Sequence, residues 1–204
     1  MCRHQRVIDE GYTKYICDWQ RAPALPAAVV CDLNEWRNCL CDAGLVGYDE
    51  EHGVGFGNLS IRVDGGEKFI VSGTQTGHIK SMDETHYSLV TAFDIDKNHV
   101  SCEGPVQASS EALTHAALYQ LDEEICAIAH VHSLKLWQSL IHRVPTTAEN
   151  VRYGTPEMAR EFLRLYRETD LPGKGIAVMA GHEEGIISFG RTMEQAAQRI
   201  LRFH

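Results

Sequence analysis

Apolar residues recur at helical spacing in several stretches of the chain. Leu33, Trp36 and Leu40 are separated by three or four residues, which predicts a helix that begins near Asp32 and ends at Gly44. The same spacing, together with residues typical of helix starts, predicts further helices near Ser110, over residues 133–142, from Thr155 to about Glu168, and from Thr192.

Short apolar runs bounded by turn residues lie between the predicted helices. They predict strands in the segments NLSIRV, KFIVS, SLVTAFDI, HVSC, ICAIAHVH, IAVMA and GIISF. Asp64-Gly65-Gly66 and Asp96–Asn98 indicate tight turns, so the strands on either side of each turn form hairpins. Because hairpins make neighbouring strands antiparallel, the pattern predicts an α/β domain with a mixed or antiparallel sheet.

One domain accounts for most of the 204 residues, since a domain averages about 150 residues. Pro23 and Pro26 would interrupt a helix, so residues 1–27 are predicted to form an irregular N-terminal extension. Residues 28–204 are predicted to form a single domain, because no repeat, linker or low-complexity segment divides them.

The composition is that of a globular protein and narrows the range of partners. Hydrophobic residues make up 44% of the chain and charged residues 23%. The 19 basic and 28 acidic residues give a formal charge of −9, which argues against a nucleic-acid surface. No apolar run reaches the ~18 residues of a membrane span, and the first residues lack the apolar core of a signal peptide. We therefore expect a cytoplasmic protein that binds neither nucleic acid nor membrane.

Seven cysteines without a CxxC pair favour reduced thiols over a disulfide framework. Cys31, Cys39 and Cys41 are close enough in sequence to suggest a metal cluster. The same three residues share a predicted helix with Leu33, and free cysteine packs like a small apolar side chain. We expect packing rather than metal binding at these positions.

Three histidines at strand ends are candidate metal ligands. His130 and His132 are two residues apart in a predicted strand, so both imidazoles point to the same side. Neutral imidazole is a common ligand of zinc, although a pair of histidines at a strand end can also simply face solvent. His182 follows the strand IAVMA and is the best-placed third ligand.

A second cluster of polar residues lies at the start of a predicted helix. Ser109, Ser110 and Glu111 offer two hydroxyls and a carboxylate where free N–H groups attract anions. Glu111 would suit a general base beside a metal-bound substrate, but an acid that merely complements the helix dipole fits as well. Asn58 and the SGTQTG segment, residues 72–77, add polar groups that suit a phosphate, a polyol or an ordinary turn.

Five motifs in this order resemble the class II aldolase/adducin family. They are GNLSIR, the glycine and hydroxyl loop, SSE before a helix, HVH after a strand, and a final GH. The resemblance extends from about residue 30 to residue 200. It implies a three-layer α/β/α sandwich around a central, mainly antiparallel sheet, and a subunit that commonly assembles into a homotetramer.

The resemblance also assigns roles to individual residues. It implies a divalent metal, usually Zn2+ but also Mn2+ or Co2+, held by His130, His132 and His182, with Glu111 as the catalytic acid. The phosphate-binding groups of the family fall on Asn58, Gly73, Thr74, Thr76, Gly77, Ser109 and Ser110.

The implied function is a metal-dependent lyase that cleaves a small sugar or sugar phosphate in a reversible aldol reaction. Alternatives within the family are an epimerase, a dehydratase, a decarboxylase or an enzyme for unphosphorylated substrates. Adducin itself provides a further alternative, a non-catalytic oligomerising scaffold. The chain departs from the usual His-Gly pattern in its His182-Glu183-Glu184-Gly185 segment, and neither Tyr119 nor Tyr153 is assigned as the family's acid/base tyrosine.

Overall fold

The computed structural model describes residues 13–204, so residues 1–12 of the predicted extension lie outside the described residues. Its strands are β1 Ile16–Arg21, β2 Gly47–Asp49, β3 Val54–Phe56, β4 Asn58–Arg62, β5 Phe69–Ser72, β6 Tyr87–Asp94, β7 His99–Gly104, β8 Ala127–His132, β9 Ile176–Val178 and β10 Gly185–Gly190. Its α-helices are α1 Ala27–Asp42, α2 Ala112–Leu121, α3 Leu134–Leu140, α4 Pro156–Glu168, α5 Leu171–Lys174 and α6 Met193–Leu201.

Eight strands form one sheet in the order β1-β7-β6-β5-β4-β8-β10-β9. Strands β1 and β7 are parallel, and every other neighbouring pair in this sheet is antiparallel. Strands β2 and β3 form a separate two-stranded hairpin. The mainly antiparallel sheet expected from the predicted turns is thus confirmed.

Helices cover both faces of this sheet. In β5, Phe69 and Val71 belong to the core on one face and Ile70 to the core on the other, as strand alternation requires. Residues of α2 and α4 pack into the first core, and residues of α1, α3 and α6 into the second. These layers confirm the α/β/α sandwich.

Two local expectations differ from the structure. Ile16–Arg21 forms an edge strand rather than irregular chain, because it pairs along its whole length with β7. Helix α1 begins at Ala27 rather than near Asp32, since Val30 is also buried against the core.

Two predicted helix starts are confirmed by their capping hydrogen bonds. Thr155 Oγ1 accepts from Met158 N at 3.3 Å before α4. Thr192 Oγ1 accepts from Gln195 N at 3.1 Å before α6. No helix within residues 13–204 has the length and apolar character needed to span a bilayer.

Candidate metal centre

Three buried histidines meet at one end of the sheet. His130 and His132 end β8, and His182 lies in the turn between β9 and β10. Pairing of Gly185 with His132 brings that turn beside the end of β8. The ring centroids of the three imidazoles are 4.7 to 5.1 Å apart, and one nitrogen of each lies within 4.8 Å of the others.

The burial of these three histidines fits metal binding, and so does the protonation of His130. His130, His132 and His182 are 1%, 7% and 4% exposed. Burial and the neighbouring imidazoles hold the pKa of His130 well below its ordinary value. A positive charge on this ring would lose its hydration, and charge on the neighbouring imidazoles would repel it. Its ring is therefore neutral and presents a lone pair. Nε2 of His130 and Nε2 of His132 are 3.0 Å apart, within hydrogen-bond distance, so both nitrogens face the same region. Three such nitrogens are a donor set that suits a divalent transition-metal ion.

Glu111 lies beside this cluster. Its carboxylate Oε1 is 3.9 Å from Nδ1 of His182, and its side chain is 2% exposed. The sequence places Glu111 in the first helical turn, but it occupies the capping position just before α2. Because the carboxylate is buried against a histidine and does not face solvent, complementing the helix dipole is not sufficient to explain its position.

The residues assigned to phosphate binding surround a single pocket next to Glu111. The lining includes Asn58, Ser109 and Ser110 together with the loop of residues 73–77. Every predicted member of this set is therefore present, and Gly55, Gly57 and Gln75 join it. Asn58 pairs with His130 across the sheet, so the pocket and the histidines share one wall. Asn58 Oδ1 is buried and has no hydrogen-bond partner among the described residues.

The loop of residues 73–77 is held by contacts that no sequence motif predicts. Arg37 of α1 is 2% exposed and donates to the carbonyls of Thr76 at 3.2 Å and Lys80 at 3.4 Å. A Cβ atom on Gly77 would collide with the backbone of Gly47 and Gly55, so the loop approaches the β2–β3 hairpin as only glycine allows. Arg37 comes four residues after Leu33 and three before Leu40, and this spacing on the apolar face of α1 is the sequence signal that could have indicated the first contact.

Tyr15 supports the other side of the pocket. Its hydroxyl donates towards the carbonyl oxygens of Ser109 at 2.8 Å and Ala108 at 3.1 Å. The ring is 5% exposed and belongs to the core next to α2. The residue lies in the segment expected to be irregular, and nothing in the local sequence indicates that it reaches the start of a distant helix.

Tyr153 and Tyr119, to which the family resemblance assigns no catalytic role, lie in different places, one beside the candidate metal centre and the other in the core. Tyr153 stacks on the His182 ring, with centroids 4.3 Å apart and planes 23° apart, and Lys14 Nζ lies 3.6 Å from the centre of the Tyr153 ring. Tyr119 instead hydrogen-bonds to Ser60 Oγ at 2.7 Å within the core. His115 contacts the same Ser60 oxygen at 2.7 Å, and burial lowers its pKa to about 3. His115 is therefore a neutral core residue.

The cysteines on α1 form no site with the histidines. Cys31 and Cys39 are exposed and Cys41 is half-buried, so the expected packing of the first two is wrong. Cys41 packs against the core that contains Leu33 and Leu40, whereas Cys31 and Cys39 are open to solvent. Within residues 13–204, the histidine cluster is the group of potential metal ligands that the structure brings together.

Comparisons with known proteins agree with this fold. The sequence model of the family described as Class II Aldolase and Adducin N-terminal domain matches residues 40–204. A search of curated proteins finds no match.

Solved structures with the same fold are distant in sequence. An L-fuculose 1-phosphate aldolase has a TM-score of 0.65 and 20% identity, over 87% of this chain and 82% of that chain. A sugar-phosphate aldolase from Thermotoga maritima has a TM-score of 0.65 and 16% identity, over 86% and 90% of the two chains. YgbL from Escherichia coli, a proposed aldolase/epimerase/decarboxylase, has a TM-score of 0.63 and 16% identity, over 86% and 84%. At such identities the likeness establishes the fold alone.

Proposed function

Because the chain belongs to the class II aldolase and adducin family, we propose that it is a zinc-dependent lyase acting on a small sugar or sugar phosphate. The proposed reaction is reversible aldol cleavage: the bond breaks between the carbon next to the carbonyl and the hydroxyl-bearing carbon beyond it. The hydroxyl-bearing carbon leaves as an aldehyde, and the electron pair remains on the other fragment as an enediolate that then takes up a proton. We place the protein in cytoplasmic carbohydrate metabolism and propose a homotetramer.

The observation that carries this proposal is the position of Glu111. Its carboxylate lies 3.9 Å from a histidine of the candidate metal centre and faces the same pocket as Ser109 and Ser110. A non-catalytic scaffold has no chemical need to bury an acid beside three converging imidazoles. Burying an ionisable group carries a free-energy cost, so the arrangement favours an enzyme.

Each part of the site has a distinct task in this mechanism. His130, His132 and His182 would hold the metal ion as neutral ligands. When bound, Zn2+ supplies a Lewis acid that stabilises the negative charge of an enediolate. Glu111 takes up and returns the proton at the reacting carbon.

The pocket positions the other end of the substrate. Ser109 and Ser110 offer hydroxyls, and the start of α2 offers backbone N–H groups to an anionic or polar group. Asn58 Oδ1 is a buried acceptor that a substrate hydroxyl would satisfy. Binding energy gained here orients the reacting end beside Glu111.

A second candidate is the same chemistry on an unphosphorylated substrate. Neither lysine nor arginine lines the pocket within the described residues. A phosphate would then be held only by hydroxyls and backbone dipoles, whereas a polyol or keto acid needs no cation for its hydroxyl groups. The same site would also suit an epimerase, a dehydratase or a decarboxylase, since these reactions pass through a similar enediolate.

The test combines metal content with a substrate screen. Protein purified without chelator or histidine tag is analysed for metals and assayed with matched short sugar phosphates and free sugars. About one Zn2+ per chain with cleavage of one substrate class supports the proposal. Absence of metal, combined with failure to take up Zn2+ on titration, would remove the lyase and leave the adducin-like scaffold.

A further inference from the structure

A second pocket lies away from the histidines, at the other end of strands β9 and β10. It encloses about 580 Å3 between the ends of α3, α5 and α6. Ile176 in its wall pairs with Ser188, whereas His132 pairs with Gly185 at the opposite end of β10. Three residues of strand separate these two positions, or about 10 Å. The lining of this pocket has no residue in common with that beside Glu111.

The floor of this distal pocket is apolar. Leu140, Val144 and Ile176 line it and belong to the core beneath. Phe203, at the rim, leaves 44% of its surface exposed. An aromatic ring open to water beside an apolar floor offers contact area to the apolar part of a ligand.

The rim of the distal pocket is positively charged. Arg143, Lys174, Arg199 and Arg202 line it, although the chain as a whole carries a charge of −9. Lys174 pairs with Asp170 at 3.0 Å. For the three arginines, no carboxylate within residues 13–204 lies within ion-pair distance. Three unpaired arginines around one pocket are unexpected in an acidic protein, because carboxylates are abundant enough to neutralise them.

Arg199 is held in place before any ligand arrives. Its guanidinium donates to the carbonyl of Phe189 and packs over Gly175, where a Cβ atom would collide with it. Burial and the like charge of Arg202 lower the pKa of Arg199 from its ordinary value. The Arg199 and Arg202 guanidinium groups therefore repel each other, and an anion between them would relieve that repulsion.

We propose that the distal pocket binds a small organic anion, a phosphate or carboxylate carried on an apolar body. Arg199 and Arg202, together with Arg143, bind the anionic group, since guanidinium matches the oxygens of both anions in a two-pronged geometry. Leu140, Val144, Ile176 and Phe203 contact the apolar body. The site is separate from the proposed active site and does not depend on the proposed reaction.

Calorimetric titration of the full chain with hexyl phosphate tests both halves of the proposal. We expect hexyl phosphate to bind at least about tenfold more tightly than inorganic phosphate, which lacks the apolar body, or hexanol, which lacks the anion. Titration with hexanoate decides between phosphate and carboxylate as the preferred group.

Charge reversal locates the binding. Arg143→Glu and Arg202→Glu should each weaken hexyl phosphate binding by about tenfold or more, equivalent to about 1.4 kcal/mol. Arg167→Glu is the matched control, because Arg167 is exposed on α4 and outside the pocket, and it should stay within about twofold of wild type. Thermal melts confirm that all three variants are folded.

Two results would overturn the proposal. The first is hexyl phosphate binding that is absent, or unchanged in Arg143→Glu and Arg202→Glu. The second is a change in oligomeric state of these variants during sedimentation without ligand. In that case the distal pocket is a contact surface between copies of this chain.

Discussion

Glu111 and His182 lie side by side, with 3.9 Å between the carboxylate Oε1 and the imidazole Nδ1, although they come from different parts of the chain. Glu111 precedes α2 on one face of the sheet, and His182 lies in the turn after β9. Both are almost fully buried. This contact connects the candidate metal centre to the candidate substrate pocket.

Glu111→Gln should abolish most turnover without loss of metal. Glutamine keeps the size and polarity of the side chain but cannot accept a proton, so we expect kcat to fall by about 100-fold or more. Steady-state kinetics and elemental analysis measure the two effects. Glu67→Gln, in an exposed turn, is the control. Unchanged turnover would remove Glu111 from the mechanism.

His132→Ala should lose the metal ion. Two remaining imidazoles leave the ion with too few protein ligands, so metal content should fall from about one per chain to below about one tenth. Elemental analysis of the purified variant measures this. His99→Ala provides the comparison, because His99 pairs with Asp18 away from the cluster. Full occupancy in His132→Ala would contradict the ligand assignment.

Arg37→Gln should weaken substrate binding more than turnover. Arg37 holds the loop of residues 73–77 through the Thr76 carbonyl, and its loss leaves buried acceptors unsatisfied at about 1–3 kcal/mol. We expect KM to rise about tenfold while kcat changes less than about threefold. Arg160→Gln, on the exposed surface of α4, should change neither. A fall in kcat with constant KM would show that the loop does not position substrate.

The Cys102 thiol should ionise at unusually low pH. Cys17 Sγ lies 3.7 Å away, and its hydrogen bond to the thiolate lowers the pKa of Cys102 to about 7. A lowered thiol pKa means that the thiolate is already dominant at about pH 8 and is lost as the pH falls through about 7. The difference in ultraviolet thiolate absorbance between wild type and Cys102→Ser follows this titration.

Cys17→Ala tests the cause of that shift. Without the hydrogen bond, the pKa of Cys102 should rise towards the ordinary range for thiols. A titration that is the same with and without Cys17 would show that another group stabilises the thiolate.

Local pattern in the sequence determined most of the elements and the placement of two candidate metal ligands. Alternation in ICAIAHVH placed His130 and His132 on one side of a strand, and the capping residues Thr155 and Thr192 marked two helix starts that the structure confirms. Such features depend on neighbouring residues, so a short segment contains the information for them.

Assembly of the site was decided only by the tertiary structure. The β1 edge strand, the contact of Glu111 with His182, and the hydrogen bonds of Tyr15 and Arg37 all join residues that are distant in sequence. No local pattern specifies such pairs, because sheet pairing and core burial select them from many possible partners. The family resemblance indicated which residues would meet, while the folded chain determines the distances and burial on which their chemistry depends.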